Sequence, residues 1–156
     1  MELVADKKAV VAGSITSCVE VVKYYYGGGD KFFHYLIPAT INNTTTGYFI
    51  VDTGASMTAL NSKLLGVQGV NAPVESTEDL VSTYLDESPL NKVSCAFQLS
   101  RDGKTYPMGM LVLDMEFLQG SYAEKEVTIL GLLGADFLNK EVLLFDFKAP
   151  KLYLKD

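Results

Sequence analysis

The chain has 156 residues, a length that favours one domain and can bury a sizeable core without a disulfide or metal. It is 48% apolar, with nine Tyr, eight Phe and no Trp, which excludes a disordered chain. A formal charge of −6 argues against nucleic acid or an anionic membrane as partner, since both need a basic surface.

Cys18 and Cys95 are far apart in sequence and are expected to be free, buried thiols. His34 is the only histidine and sits in an aromatic, strand-like run. No further ligands stand at zinc-site spacing, so neither metal nor cofactor is expected. A nucleophile–histidine–acid site would have only this one ring to use. No apolar stretch approaches the roughly 18 residues of a membrane helix. Met1 to Lys8 lacks the basic region and apolar core of a signal peptide, so a soluble chain is expected, with the cytoplasm favoured.

Ala9 to Tyr26 is rich in Val, Ile, Thr and Tyr and reads as strand, hinged at Gly13-Ser14. Tyr24-Tyr25-Tyr26 reads as strand aromatics covering a sheet edge rather than as a ligand platform. Gly27-Gly28-Gly29-Asp30 is a flexible turn and not a phosphate loop, since no Gly-Lys-Ser/Thr comes after it. It divides an N-terminal arm or extra strands, residues 1–30, from the main unit, residues 31–156. Phe32 to Ile41 is a strand with Phe33, Tyr35, Ile37 and Ala39 on one face. The polar turn Asn42 to Gly47 then lets Tyr48 to Val51 pair back as a hairpin.

Met57 to Leu60 continues extended, and Asn61 to Gly66 suits a short helical turn. Val70 to Pro89 fits either a short helix or a long exposed hairpin, and Glu78 to Leu85 looks the more helical. In Val93 to Leu99, Val93, Cys95, Phe97 and Leu99 face one way. Arg101-Asp102-Gly103-Lys104 is a tight hairpin turn that returns Tyr106 to Leu113 as a strand. Glu116 to Glu126 reads as a polar loop. Val127 to Gly134 is an apolar run ending in glycine, and Ala135 to Asn139 gives one or two helical turns, with Asp136 near their positive end. Glu141 to Phe147 and Lys151 to Leu154 are closing strands. The expected fold is mostly β, closed or sandwich-like, with one or two short helices.

The chemistry concentrates in Tyr48-Phe49-Ile50-Val51-Asp52-Thr53-Gly54-Ala55-Ser56. Four apolar residues without alternation suit a strand buried on both faces. The strand ends in an acid, which is costly to bury unless hydrogen-bonded. Gly54 allows a sharp turn or an amide at close range. The plain alternative is that Asp52 only opens a turn and caps the next element.

Taken with Leu132-Leu133-Gly134-Ala135-Asp136-Phe137-Leu138 later in the chain, Asp52-Thr53-Gly54-Ala55-Ser56 resembles the retropepsin-like aspartic proteases. The likeness runs from about Phe32 to Leu154. It implies a retropepsin-like closed β-barrel, with Asp52 as catalytic acid/base and Thr53 and Gly54 gripping two loops together. It places Ala55 and Ser56 against substrate backbone, although plain turn structure explains them equally well. Leu132, Leu133 and Gly134 become scaffold for the loop. Only one Asp-Thr-Gly is present, so the resemblance implies a homodimer supplying one carboxylate per subunit and acting on a peptide or protein. The activity implied is that of an aspartic endopeptidase. A non-catalytic module of the same fold that binds a peptide or a partner is the alternative. The family's flap should fall between Val74 and Val93, where this chain has no glycine, and Tyr84 is the flap candidate there.

Overall fold

A computed structural model describes residues 2–4, 15–26, 32–42, 44–65, 75–82, 87–99, 104–122 and 127–155. At 2–4, 15–17, 75–82, 87–92 and 121 it describes the backbone alone. The strands are β1 (Glu2–Val4), β2 (Ile15–Glu20), β3 (Val22–Tyr26), β4 (Phe32–Ile41), β5 (Thr45–Val51), β6 (Ala59–Asn61), β7 (Glu75–Ser82), β8 (Glu87–Leu99), β9 (Thr105–Leu113), β10 (Ile129–Leu133), β11 (Val142–Asp146) and β12 (Lys151–Lys155). Two short helices, α1 (Glu116–Ser121) and α2 (Ala135–Glu141), and a 3-10 turn at Ser62–Leu64 complete the described elements. The chain is mostly β, as expected.

One sheet runs β3-β4-β5-β10-β6-β9-β8-β7, and an extra β4–β8 pairing turns it back on itself. A second sheet, β1-β11-β12-β2, joins strands from the two ends of the described chain. The residues before the glycine run therefore enter both sheets, β1 and β2 in the second and β3 in the first. The break between β2 and β3 falls at Val21, whose buried side chain and N–H to the Pro150 carbonyl (3.2 Å) fix the chain there. The expected hinge at Gly13-Ser14 lies outside the described residues.

Alternation holds along β8, where Val93, Cys95, Phe97 and Leu99 are all buried. Phe97 packs with Phe49, Tyr106 and Phe137 at ring separations of 5.1–5.5 Å, an aromatic centre for the main core. On β4, Ile37 and Ala39 join this core, whereas Leu36 on the opposite face enters a second cluster with Ile50, Met115, Tyr122 and Ile129. Phe33, set by alternation on the same face as Tyr35, Ile37 and Ala39, lies near the start of β4 and is exposed.

Three expectations need correction. Within Glu78 to Leu85, read as more helical than hairpin-like, residues 78–82 lie in β7, which pairs antiparallel with β8, Ser82 opposite Glu87. Their acid-rich composition suits a helix, but a long neighbouring strand offers the ladder. The start of the expected loop at Glu116 is α1, pinned by tertiary bonds: Gln119 Nε2 donates to the Val127 carbonyl (2.7 Å) and its Oε1 accepts from Ile129 N–H (2.9 Å). Both cysteines are free, but only Cys95 is buried, while Cys18 on β2 is exposed.

Candidate active site

The site is built where β5 ends. Phe49 and Ile50 are buried, and β5 is hydrogen-bonded on both sides, to β4 and to β10. Strand β10 runs parallel to β5, with Ile50 opposite Leu132 and Val51 opposite Leu133, and antiparallel to β6 on its other side. That second contact requires a glycine: a Cβ on Gly131 would overlap the Ala59 carbonyl. A short run of apolar residues around a glycine thus becomes the central strand beneath the loop 52–58.

That loop is fastened to the start of α2. Asp52 N–H donates to the Leu133 carbonyl (3.0 Å), Ala135 N–H to the Ala55 carbonyl (2.7 Å) and Asp136 N–H to the Ser56 carbonyl (3.3 Å). Gly134 sits so close that a Cβ there would lie 2.5 Å from the Met57 carbonyl carbon and 3.0 Å from the Ala55 oxygen. Within the loop, Gly54 N–H donates to Asp52 Oδ1 at 3.0 Å, which fixes the carboxylate's direction. Asp52 and Ala55 are half-buried, whereas Thr53, Gly54 and Ser56 are exposed. Leu133 and Gly134 are buried and Leu132 partly so. The Asp52 turn and the Leu132-Leu133-Gly134 strand are therefore brought together. Tyr84 lies outside the described residues.

Two groups near the loop were not legible in the sequence. Thr58, fully buried, donates through both its N–H (2.9 Å) and its hydroxyl (2.7 Å) to Asp136 Oδ1, and its hydroxyl accepts from Gly134 N–H (3.1 Å). Asp136 also accepts from Phe137 N–H (2.8 Å), so its helix-end position serves the loop as well as the helix. The second group is aromatic. His34 Nδ1 lies 2.6 Å from the Tyr122 hydroxyl, and its ring stacks on Tyr26 at 4.5 Å and 13°. Burial lowers the pKa of His34, and the negative charge of Asp52 opposes that shift. Burial also pushes the Tyr122 phenol well up. Among the described residues no group of three His, Cys, Asp or Glu is placed to hold a metal ion. No helix among them is long and apolar enough to cross a membrane.

The architecture and the fastened Asp-Thr-Gly loop define a protein class. A family model described as aspartyl protease matches residues 37–137, and the chain belongs to that family. Its fold is similar to that of a retropepsin-like aspartic protease from Rickettsia conorii, at 22% identity over 88% of this chain and 92% of that one, with a TM-score of 0.52. Two further likenesses are weaker. The EIAV protease complexed with the inhibitor HBY-793 has 17% identity over 68% of this chain and 86% of that one, with a TM-score of 0.45. The simian foamy virus (mac) protease has 17% identity over 60% and 99%, with a TM-score of 0.36. No curated protein matches the chain.

Proposed function

We propose that the protein is an aspartic endopeptidase in which two copies of the chain each bring Asp52 to one shared site. The observation that carries this reading is the presentation of Asp52. Its carboxylate is oriented by Gly54 N–H on a loop fastened from behind by β10 and α2, while Thr53, Gly54 and Ser56 face outward.

One carboxylate cannot be base and acid at once, and two brought close cannot both ionise cheaply. They share a proton and titrate as a pair, the general behaviour of aspartic-protease dyads. The ionised member takes a proton from a water whose oxygen attacks the peptide carbonyl carbon. The protonated member donates to the carbonyl oxygen and stabilises the developing charge. Collapse of the tetrahedral intermediate breaks the C–N bond, and the amine leaves with a proton from the pair. Thr53 and Gly54 hold the two loops together across the axis, and Ala55 and Ser56 line the path of the peptide backbone. Residues 31–156 form the protease unit, to which residues 1–30 add strands. The β7–β8 pair is the element that covers the bound peptide, and Tyr84 is the flap residue.

The test is cleavage of a peptide library from acidic to neutral pH by the wild type and by Asp52→Asn, which keeps an acceptor for Gly54. Loss of cleavage in a folded variant supports the proposal, and unchanged cleavage sinks it. A wild type that stays monomeric and cleaves nothing leaves the chain as a binding module of this fold.

A further inference from the structure

The strand register, continued past its last pair, brings the chain's only histidine level with the acid. Across β4 and β5, Leu36 is opposite Ile50 and Ile37 opposite Phe49. Two residues beyond the Leu36–Ile50 pair come His34 and, just past the end of β5, Asp52. On the other side of β4, Tyr24 and His34 are paired in one row, and the β4–β5 register, continued past its last pair, brings Asp52 level with them. Side chains in one row of a sheet project from the same face.

The imidazole is held there from two directions, by the Tyr122 hydroxyl at Nδ1 and by the face of Tyr26. The titratable groups around it are Tyr24 and Tyr26 from β3, Tyr48 from β5, Tyr122 from the segment after α1, and Asp52. The tyrosine rings pack edge-on at about 6 Å, Tyr24 against Tyr48 and Tyr122, and Tyr26 against Tyr122. Burial raises the pKa of the Tyr48 and Tyr122 phenols. Burial is the larger influence on the ring and lowers its pKa, and the negative charge of Asp52 works against it. A triad role does not fit, since the ring's Nδ1 is taken by a phenol and not by a nucleophile or an orienting carboxylate.

We propose that His34 is a positioning residue for the carboxylate pair: held by Tyr122 and Tyr26 level with Asp52, it presents a charge that comes and goes with pH and sets the acid limit of activity. An imidazolium near a pair of carboxylates favours the singly ionised pair over the fully protonated one. By linkage, ionised Asp52 favours the imidazolium to the same degree. The activity part of this inference rests on the proposed proteolytic reading, whereas the coupling itself does not.

The single histidine makes the coupling directly measurable. The ring Cε1–H resonance is followed by NMR against pH in the wild type and in Asp52→Asn, with the same spectra reporting the fold. Removal of the Asp52 charge should lower the histidine midpoint by on the order of half to one pH unit. A midpoint that stays put or rises overturns the proposal. In the cleavage assay, His34→Gln should move the acid limb of the kcat/KM profile to higher pH by a similar amount. A limb unmoved in folded His34→Gln also overturns it, since a merely structural role would change rate and stability without moving the limb. If the wild type cleaves nothing, the proteolytic reading fails, and the NMR comparison still decides whether His34 and Asp52 are coupled.

Discussion

Thr58 and Asp136, 78 residues apart, lock the two halves of the site together through one carboxylate oxygen, which takes the Thr58 hydroxyl at 2.7 Å and the Thr58 N–H at 2.9 Å. Because the same hydroxyl accepts from Gly134 N–H, one buried threonine ties the Asp-Thr-Gly loop to both the end of β10 and the start of α2.

Thr58→Val keeps the shape and removes the hydroxyl. It leaves Gly134 N–H without this acceptor and deprives Asp136 of a donor. Hydrogen bonds to charged groups contribute about 1.5–3 kcal/mol, so the expected loss is roughly 2–3 kcal/mol of unfolding free energy. Urea denaturation reads it, and a change below about 0.5 kcal/mol would show that the lock is not structural.

Gly134→Ala tests the closeness of the second strand to the loop. The new Cβ would meet the Met57 carbonyl carbon at 2.5 Å and its oxygen at 2.6 Å, both backbone atoms that cannot swing aside. Overpacking of this kind costs about 1–3 kcal/mol. The variant should unfold at lower temperature and lose activity through the displaced loop, as thermal unfolding and cleavage measured together will show. Wild-type values for both would mean that the loop and β10 are not in tight register.

The cysteines should differ in reactivity. Burial pushes the Cys95 thiol up to about 11, while Cys18 is exposed. At pH 8 a disulfide reagent should label Cys18 in the folded protein and reach Cys95 only on unfolding. The folded Cys95 thiol holds its proton above the unfolded pKa of roughly 8.5. Its stabilising contribution is therefore intact below that pH and fades as pH rises toward about 11. Cys95→Ala should flatten that alkaline decline, and equal labelling of both thiols in the folded state would contradict the account.

Where chemistry is local, the chain declares itself. The apolar run Tyr48–Val51 ending in Asp52, and Leu132-Leu133-Gly134 ahead of a helix start, can be read because each depends on near neighbours in sequence. The mutual fastening of these segments is foreseeable once both are seen together. The features that escape such a reading depend on tertiary partners. Gln119 makes Glu116–Ser121 a helix by bonding to residues eight and ten positions away. Residues 75–82 are a strand because β8 is beside them, not because of their own propensity. Thr58 carries no local mark of its bond to Asp136. In sequence His34 is one more strand aromatic, and only the β4–β5 register, continued past its last pair, brings it level with Asp52.

The central claim is that each working site needs Asp52 from two chains. Wild-type and Asp52→Asn subunits can be mixed under conditions that exchange partners, and peptide cleavage measured against the fraction of wild type. A site shared across a two-fold axis predicts activity falling as the square of that fraction, to roughly a quarter in an equal mixture. Activity that falls linearly, to about half in an equal mixture, would mean that one chain suffices and would contradict the account.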